Sequence, residues 1–176
     1  LANSARNYIT RHGVKLGKKI VIFTNNDSAY RTALAMNDLN SLDSIECIVD
    51  LREKSKSSLR EMVGSELGIP IFYRHVVTDT TGWLRIKSVK INKIDDKNNK
   101  IIGKTKTFKC DALLISGGWN PNVNLFSQSR GKLIYRESDG TFIPHQSFQN
   151  EISIGACNGT FDIEDIIEET YKKLKN

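Results

Sequence analysis

Two spacings of apolar residues alternate along the first part of the chain. They run continuously through "KKIVIF", "SIECIVDL" and "IPIFY", the pattern of strands covered on both faces. Between these runs the spacing opens to Ala29, Ala33, Met36 and Leu39, and later to Leu59, Met62, Val63 and Leu67. Each of those sets is one stripe of a helix. Ser57 or Ser58 is placed to cap the second helix, with Glu61 in reach of a capping box. Upstream, Leu1 to Arg11 reads as the end of a helix that "HGV" stops. The resulting order, β-α-β-α-β, demands a parallel sheet with right-handed crossovers.

Beyond Tyr73 the pattern changes. "HVVTDT", Gly82, "WLRIKSVKI", the turn "DDKNN" and "KIIGKTKTFK" read as extended segments joined by tight turns. Arg85, Lys87 and Lys90 alternate with Leu84, Ile86, Val89 and Ile91, so this antiparallel meander has one wet face. "CDALLIS" returns to a continuous apolar strand. These pieces predict an α/β fold with the shape of a dinucleotide-binding domain over 13–122, a parallel βαβαβ sheet plus an antiparallel meander. In the remainder, "KLIYRESDGTFIP" predicts a hairpin turning at Asp139–Gly140, "EISIGAC" a short strand and "DIEDIIEETYKKLK" an amphipathic helix. So few elements bury little by themselves. Residues 123–176 are therefore expected to be part of a second domain whose other strands lie outside this chain, and 1–12 a helix or linker from that same domain.

Composition narrows the classes of function. With 176 residues and no apolar run near the roughly 20 needed to span a bilayer, no membrane partner is expected. The chain does not open on Met and has no secretory signal, so an internal piece of a longer cytoplasmic protein is expected. The net charge of +6 gathers in Lys15/Lys18/Lys19, Lys97/Lys100/Lys104/Lys106/Lys109 and Lys172/Lys173/Lys175. No aromatic residues interleave with these clusters as in single-strand binders, so they read as solvated surface and no nucleic-acid partner is expected. Cys47, Cys110 and Cys157 are scattered and odd in number, which suits a reducing compartment and opposes a disulfide framework or zinc site. His12, His75 and His145 form no metal pair, so no metal site is expected. The acids Glu164, Asp165, Glu168 and Glu169 read as the solvated face of the last helix, with Glu168–Lys172 and Glu169–Lys173 as i,i+4 pairs.

The stretch "IVIFTNNDSAYRTAL" has the outline of a strand–turn–helix phosphate cradle without its glycines. In a G-x-G-x-x-G turn the glycines allow the bend, the approach of the pyrophosphate and close helix packing. Those places hold Thr24, Asn26 and Ala29. A helix N-terminus for an anion and Asp50, at the position of a ribose-binding acid, favour a surviving site. The charge of Asp27, and "NDS" as a self-sufficient helix cap, oppose it. The candidate cofactor-binding residues are accordingly Thr24, Asn25, Asn26, Asp27, Ser28 and Asp50. "SGGWNPNVNLF" adds Gly117, Gly118 and Trp119, two glycines and a planar ring after a buried strand. "SIGACNGTFDI" adds Gly155 and Ala156, where a strand end runs into a helix start. Ser116 has no convincing base nearby, and no catalytic residue is assigned.

The strings "VIFTNNDSAYRTAL", "CDALLISGGWNPNVNLFSQSRGKL" and "ISIGACNG" together resemble the alpha subunit of heterotetrameric sarcosine oxidase, "SGGWNPNVNLFSQS" carrying most of the weight. The resemblance covers nearly all of this chain but only a middle part of that subunit, without its N-terminal glycine-rich turn and C-terminal folate-binding region. It implies the two-dinucleotide-fold architecture of flavoprotein reductases, in which an inner domain interrupts an outer one. It further implies an enzyme of beta, gamma and delta subunits besides alpha that demethylates sarcosine to glycine with peroxide and, with tetrahydrofolate, methylenetetrahydrofolate. FAD would belong to the beta subunit, FMN to the alpha–beta interface and NAD to alpha, mainly through residues outside this chain. Related flavoproteins carry Gly-Asp where this chain has Ala156 and Cys157, a departure from a reductase-type flavin site. An alpha-type subunit of another amine or opine oxidase, or a non-catalytic nucleotide-binding or assembly module, stays open beside this reading.

Overall fold

The computed structural model describes residues 1–38, 45–55, 57–95 and 100–175. Leu39 of the first helical stripe, Ser44 at the head of the second strand, Lys97 and most of the expected turn "DDKNN" lie outside the described residues. The chain divides into two units, Leu1–Gly118 and Trp119–Asn176.

In the first unit, α1 (Ala2–His12) leads into β1 (Ile20–Thr24), α2 (Ser28–Asp38), β2 (Ile45–Asp50), α3 (Ser58–Glu61) and β3 (Ile71–Tyr73). Gly13 closes α1 in a left-handed conformation, its N–H returning to the Ile9 carbonyl. Past Glu61 the helix widens into a π turn over Met62–Glu66. Ser57 takes the N-cap position of α3 but makes no side-chain capping bond. The meander follows as β4 (His75–Gly82), β5 (Ile86–Ile94) and β6 (Ile101–Lys109), and β7 (Ala112–Ser116) closes the unit. The parallel sheet has the order β3-β2-β1-β7, and the meander forms a separate antiparallel sheet, β4-β5-β6.

The continuous apolar runs have a direct cause, since successive residues of one strand enter different cores. Ile20 and Ile22 of β1 and Ile48 of β2 face a helical layer of Ala5, Ile9, Tyr30, Ala33, Met36 and Val63. Val21, Cys47 and Val49 face Val89, Ile91 and Cys110 on the other side. The unit is thus three layers, helices on a parallel sheet on an antiparallel sheet. The helix over 2–12 lies inside this unit, with Ala2, Ala5 and Ile9 in its core and the Thr32 hydroxyl donating to the Ala2 carbonyl at 3.3 Å.

The second unit contains α4 (Asn124–Gln128), the hairpin β8 (Lys132–Arg136) and β9 (Thr141–Gln146), a 3-10 turn at Gly155–Asn158 and α5 (Ile163–Leu174). The hairpin turns where expected, with the Asp139 carboxylate bound by Arg136 and by Thr141. The expected strand in "EISIGAC" does not form. No strand among the described residues pairs with it, and its last residues coil into the 3-10 turn after Gly155 enters the left-handed region at φ 70°. On α5 the stripe Ile163, Ile167, Tyr171 and Leu174 is exposed.

Candidate functional site

The register of the parallel sheet sets a level rim. Thr24 pairs with Asp50 on one side and Ser116 on the other, and Asp50 pairs with Tyr73. In open α/β sheets ligands gather outside these carboxyl ends. Five of the candidate residues, Thr24 to Ser28, form the turn that leaves the rim, and Asp50, Gly117 and Gly118 stand beside it.

That turn is tied together by its own side chains. Thr24 Oγ1 donates to the Asn26 carbonyl at 2.9 Å and accepts the Asn26 N–H at 3.1 Å. Asn26 Oδ1 accepts the Ser28 N–H at 3.1 Å, as well as the hydroxyls of Ser28 and Ser116. Asn26 Nδ2 donates to the Ser116 carbonyl at 3.1 Å. Asn25 Nδ2 donates to the Gly117 carbonyl at 3.1 Å, and its backbone N–H reaches Ser116 O at 3.3 Å. The loop after β1 is therefore fastened to the loop after β7. The Asn26 amide also satisfies the first N–H of α2, the group that a phosphate would otherwise engage. Gly118 sits at φ 102°, a conformation that favours glycine, while a Cβ at Gly117 would meet open space.

Asp50 is wholly buried. Its carboxylate accepts the Tyr30 hydroxyl at 2.8 Å, the Arg52 guanidinium at 2.9 and 3.1 Å and the Arg52 N–H at 3.0 Å. Burial, then the adjacent Asp50 charge, push the Tyr30 phenol far above its ordinary value, so it stays a proton donor to the carboxylate. Arg52 also reaches Asp27 at 2.7 Å, and Arg60 binds the same Asp27 oxygen at 3.0 Å. Burial by itself would raise the pKa of Asp27, but hydrogen bonds and charge from Arg52 and Arg60 hold it below the ordinary carboxylate value. The negative charge at the helix N-terminus thus has two internal cations.

Tyr30, Arg52 and Arg60 were not among the candidates drawn from the sequence. Arg52 follows Asp50 by two residues and so was within reach of a local reading. Arg60 comes from the next helix, 33 residues after Asp27, and only the fold brings it there. Beside Arg60 a groove of about 910 Å³ opens, lined among others by Lys54, Ser55, Gly68, Pro70 and Tyr73. None of the residues 24–28 lines it.

Trp119, Gly155 and Ala156 belong to the second unit. Trp119 lies 6.1 Å from the Phe161 ring, and the Asn122 N–H donates to the Ala156 carbonyl at 3.1 Å. Gly155 N–H and Asn158 Nδ2 both donate to Glu169, at 3.2 and 2.6 Å. This corrects the reading of the α5 acids as uniformly solvated. The pairs with Lys172 and Lys173 both form, but Glu169 turns inward and its side chain is only 15% exposed. Burial alone would raise its pKa, yet bonds from Lys173, Gly155, Thr160 and Asn158 draw it down to about 2.

A folded-state pKa below the ordinary 4.5 means that this anchor stabilises the second unit above that pH and is lost as pH falls towards about 2. The protection of the Gly155 amide, its exchange rate measured against the intrinsic rate at each pH, is expected to fall over that window, and in Glu169→Gln to be lost already at neutral pH. Equal exchange in both proteins at pH 7 would refute the anchoring role. Among the described residues no group of three or more His, Cys, Asp or Glu could hold a metal ion, and no helix is long and apolar enough to cross a membrane.

No family model matches the chain. It is 32% identical over 162 residues to "Sarcosine oxidase subunit alpha" of Corynebacterium sp. strain P-1, and 31% identical over 164 residues to that of strain U-96. Each match covers 92% of this chain, which spans 16% of the length of either relative. Among solved structures, the flavoprotein disulfide reductase RclA of Escherichia coli superposes with a TM-score of 0.58 at 14% identity, covering 92% of this chain and 35% of that one. FprA of Mycobacterium tuberculosis in complex with NADPH gives 0.56 at 12% identity, covering 91% and 52%. The two structures establish the fold, that of FAD/NAD(P)-binding flavoprotein reductases. Over nearly its whole length, the chain is similar to one stretch of the sarcosine oxidase alpha subunit.

Proposed function

We propose that this chain is a fragment of an alpha-type subunit in a sarcosine-oxidising complex, an inner dinucleotide-fold domain with the returning part of an outer one, and that it supplies scaffold rather than chemistry. The kinship to sarcosine oxidase alpha subunits motivates the enzyme class, an oxidoreductase acting on a CH–NH donor. The scaffold role rests on one observation, the Asn26 amide that takes up the first N–H of α2 and ties the turn to Ser116 where a phosphate would sit. As the turn stands, its residues do not fit a pyrophosphate. Asp27 adds a carboxylate that Arg52 and Arg60 already neutralise, and Asp50 has no face turned to solvent. NAD in the full protein would then be held mainly by residues outside this chain, with the FMN of the alpha–beta interface near the scaffold and FAD in the beta subunit. The exposed apolar stripe of α5 supports reading residues 123–176 as the returning part of an outer domain, which further strands would cover.

Calorimetric titration of the purified chain with NAD is expected to be flat, and the chain alone is expected to make no peroxide from sarcosine. Saturable NAD binding would instead favour the second reading, a nucleotide-binding module, and peroxide production would overturn the scaffold role. Whether sarcosine or another N-alkyl amine is oxidised is tested on the assembled complex, by comparing peroxide release from each.

A further inference from the structure

The two most exposed large apolar side chains among the described residues are neighbours. Trp83 is 95% exposed and Leu84 90%, and together they form the tip between β4 and β5. Contiguous exposed apolar side chains, unlike single ones, mark interaction sites. The tip is also rigidly built. Gly82 takes φ 140°, and a Cβ there would run into the Arg85 carbonyl, so the bend admits only glycine. Directly below it, the Thr81 and Ser88 hydroxyls bond across the strands at 2.6 Å and Lys90 reaches Asp79 at 2.8 Å. A pair of apolar side chains held out on a cross-braced hairpin loses little freedom when a partner takes them up.

The charge of the meander is equally uneven. Residues 75–109 carry nine Lys or Arg against three Asp, an excess equal to the net charge of the whole chain, +6. Arg85, Lys87 and Lys109 are exposed beside the tip. The cations of the meander do not form one plane. Lys90 shares the face of Ser88 and Asn92, whereas Lys106 lies over the Phe72 ring at 4.6 Å, on the side of the buried core. A flat lipid surface calls for cations on one plane, but a protein cleft can meet them from two sides.

We propose that the β4–β5 hairpin is a docking element, whose Trp83 and Leu84 insert into an apolar pocket with an acidic rim on another protein subunit of the assembly. This rests on the reading of the full-length protein as one subunit of a complex. The tip residues supply the buried anchor, and Arg85, Lys87 and Lys109 steer the encounter and surround it.

The test uses the full-length protein and the purified subunit with which it assembles. Trp83→Ser with Leu84→Ser alters only solvated side chains, so the fold should persist, as a circular dichroism spectrum would verify. The double variant is expected to weaken subunit binding by about 30-fold or more, the scale of an interface anchor. Arg85→Glu is expected to slow association and flatten its dependence on salt. With 5-fluorotryptophan incorporated, the resonance that Trp83→Phe removes should respond to solvent isotope in the free full-length protein and cease to respond in the complex.

Unchanged affinity in the double variant overturns the docking role alone. So does a Trp83 resonance already shielded in the free full-length protein, because another part of the same polypeptide would then cover the tip. Tip-dependent binding to vesicles of mixed phosphatidylserine and phosphatidylcholine, or to duplex DNA, with no effect on subunit binding, also overturns it. If the full-length protein assembles with no other subunit, the docking role falls together with the reading of the protein as part of a complex.

Discussion

Asp50→Ala is expected to cost the first unit about 3–5 kcal/mol of unfolding free energy, the scale for breaking a buried ion pair from one side. The carboxylate has no exposed surface, so water cannot replace it. Its loss leaves the Tyr30 hydroxyl without its acceptor and takes from Arg52 one of two carboxylate partners. Urea denaturation followed by far-UV circular dichroism measures the loss. Domains are commonly stable by only about 5–15 kcal/mol, so the variant would be near its limit at room temperature. A double-mutant cycle with Tyr30→Phe isolates the 2.8 Å bond between them. A loss below about 1 kcal/mol for Asp50→Ala would mean that the carboxylate is not held as described.

Ile22→Ala is expected to cost about 2–5 kcal/mol by transfer and cavity terms together. Ile22 is fully buried in the helix-facing core, in the middle of the strand that separates the two cores. Because β1 is bonded to β2 and β7 on its two edges, the backbone cannot close in on the space left behind. Ile22→Val, which removes one methylene, should cost about 0.5–1.5 kcal/mol in the same measurement. Equal losses for the two variants would show that the site collapses freely and that β1 is not pinned.

The layers of the first unit could be read from the sequence because burial leaves a mark on every residue of a strand. Ile20, Val21 and Ile22 are all apolar since alternate side chains enter different cores, and in α2 Ala29, Ala33 and Met36 recur at helical spacing for the same reason. The missing glycines at Thr24 and Asn26 were equally plain. What the sequence did not disclose is where the polar side chains would go. Asn26 meets Ser116 across 90 residues, and Asp27 meets Arg60 across 33, and no period along the chain encodes either meeting. Glu169 carried the opposite signal. Its i,i+4 lysine suggested a solvated pair, and only the approach of Gly155 and Asn158 turns it inward. "EISIGAC" had strand-like residues but no neighbouring strand among the described residues, and composition cannot provide one.

The clasp between the loops after β1 and β7 has a consequence for the order in which the fold is made. In the sheet β1 sits between β2, which follows it soon in the chain, and β7, which begins at residue 112. On the ribosome, one edge of β1 must wait unpaired while the entire meander is synthesised, exposing a central strand of Ile, Val and Phe to other chains. Pairing of Ile20–Thr24 with Ala112–Ser116 ends that exposure, and the Asn26 amide can close on Ser116 only then. The same few polar bonds that fasten the turn are therefore the last stitch of the parallel sheet, made when its final strand arrives.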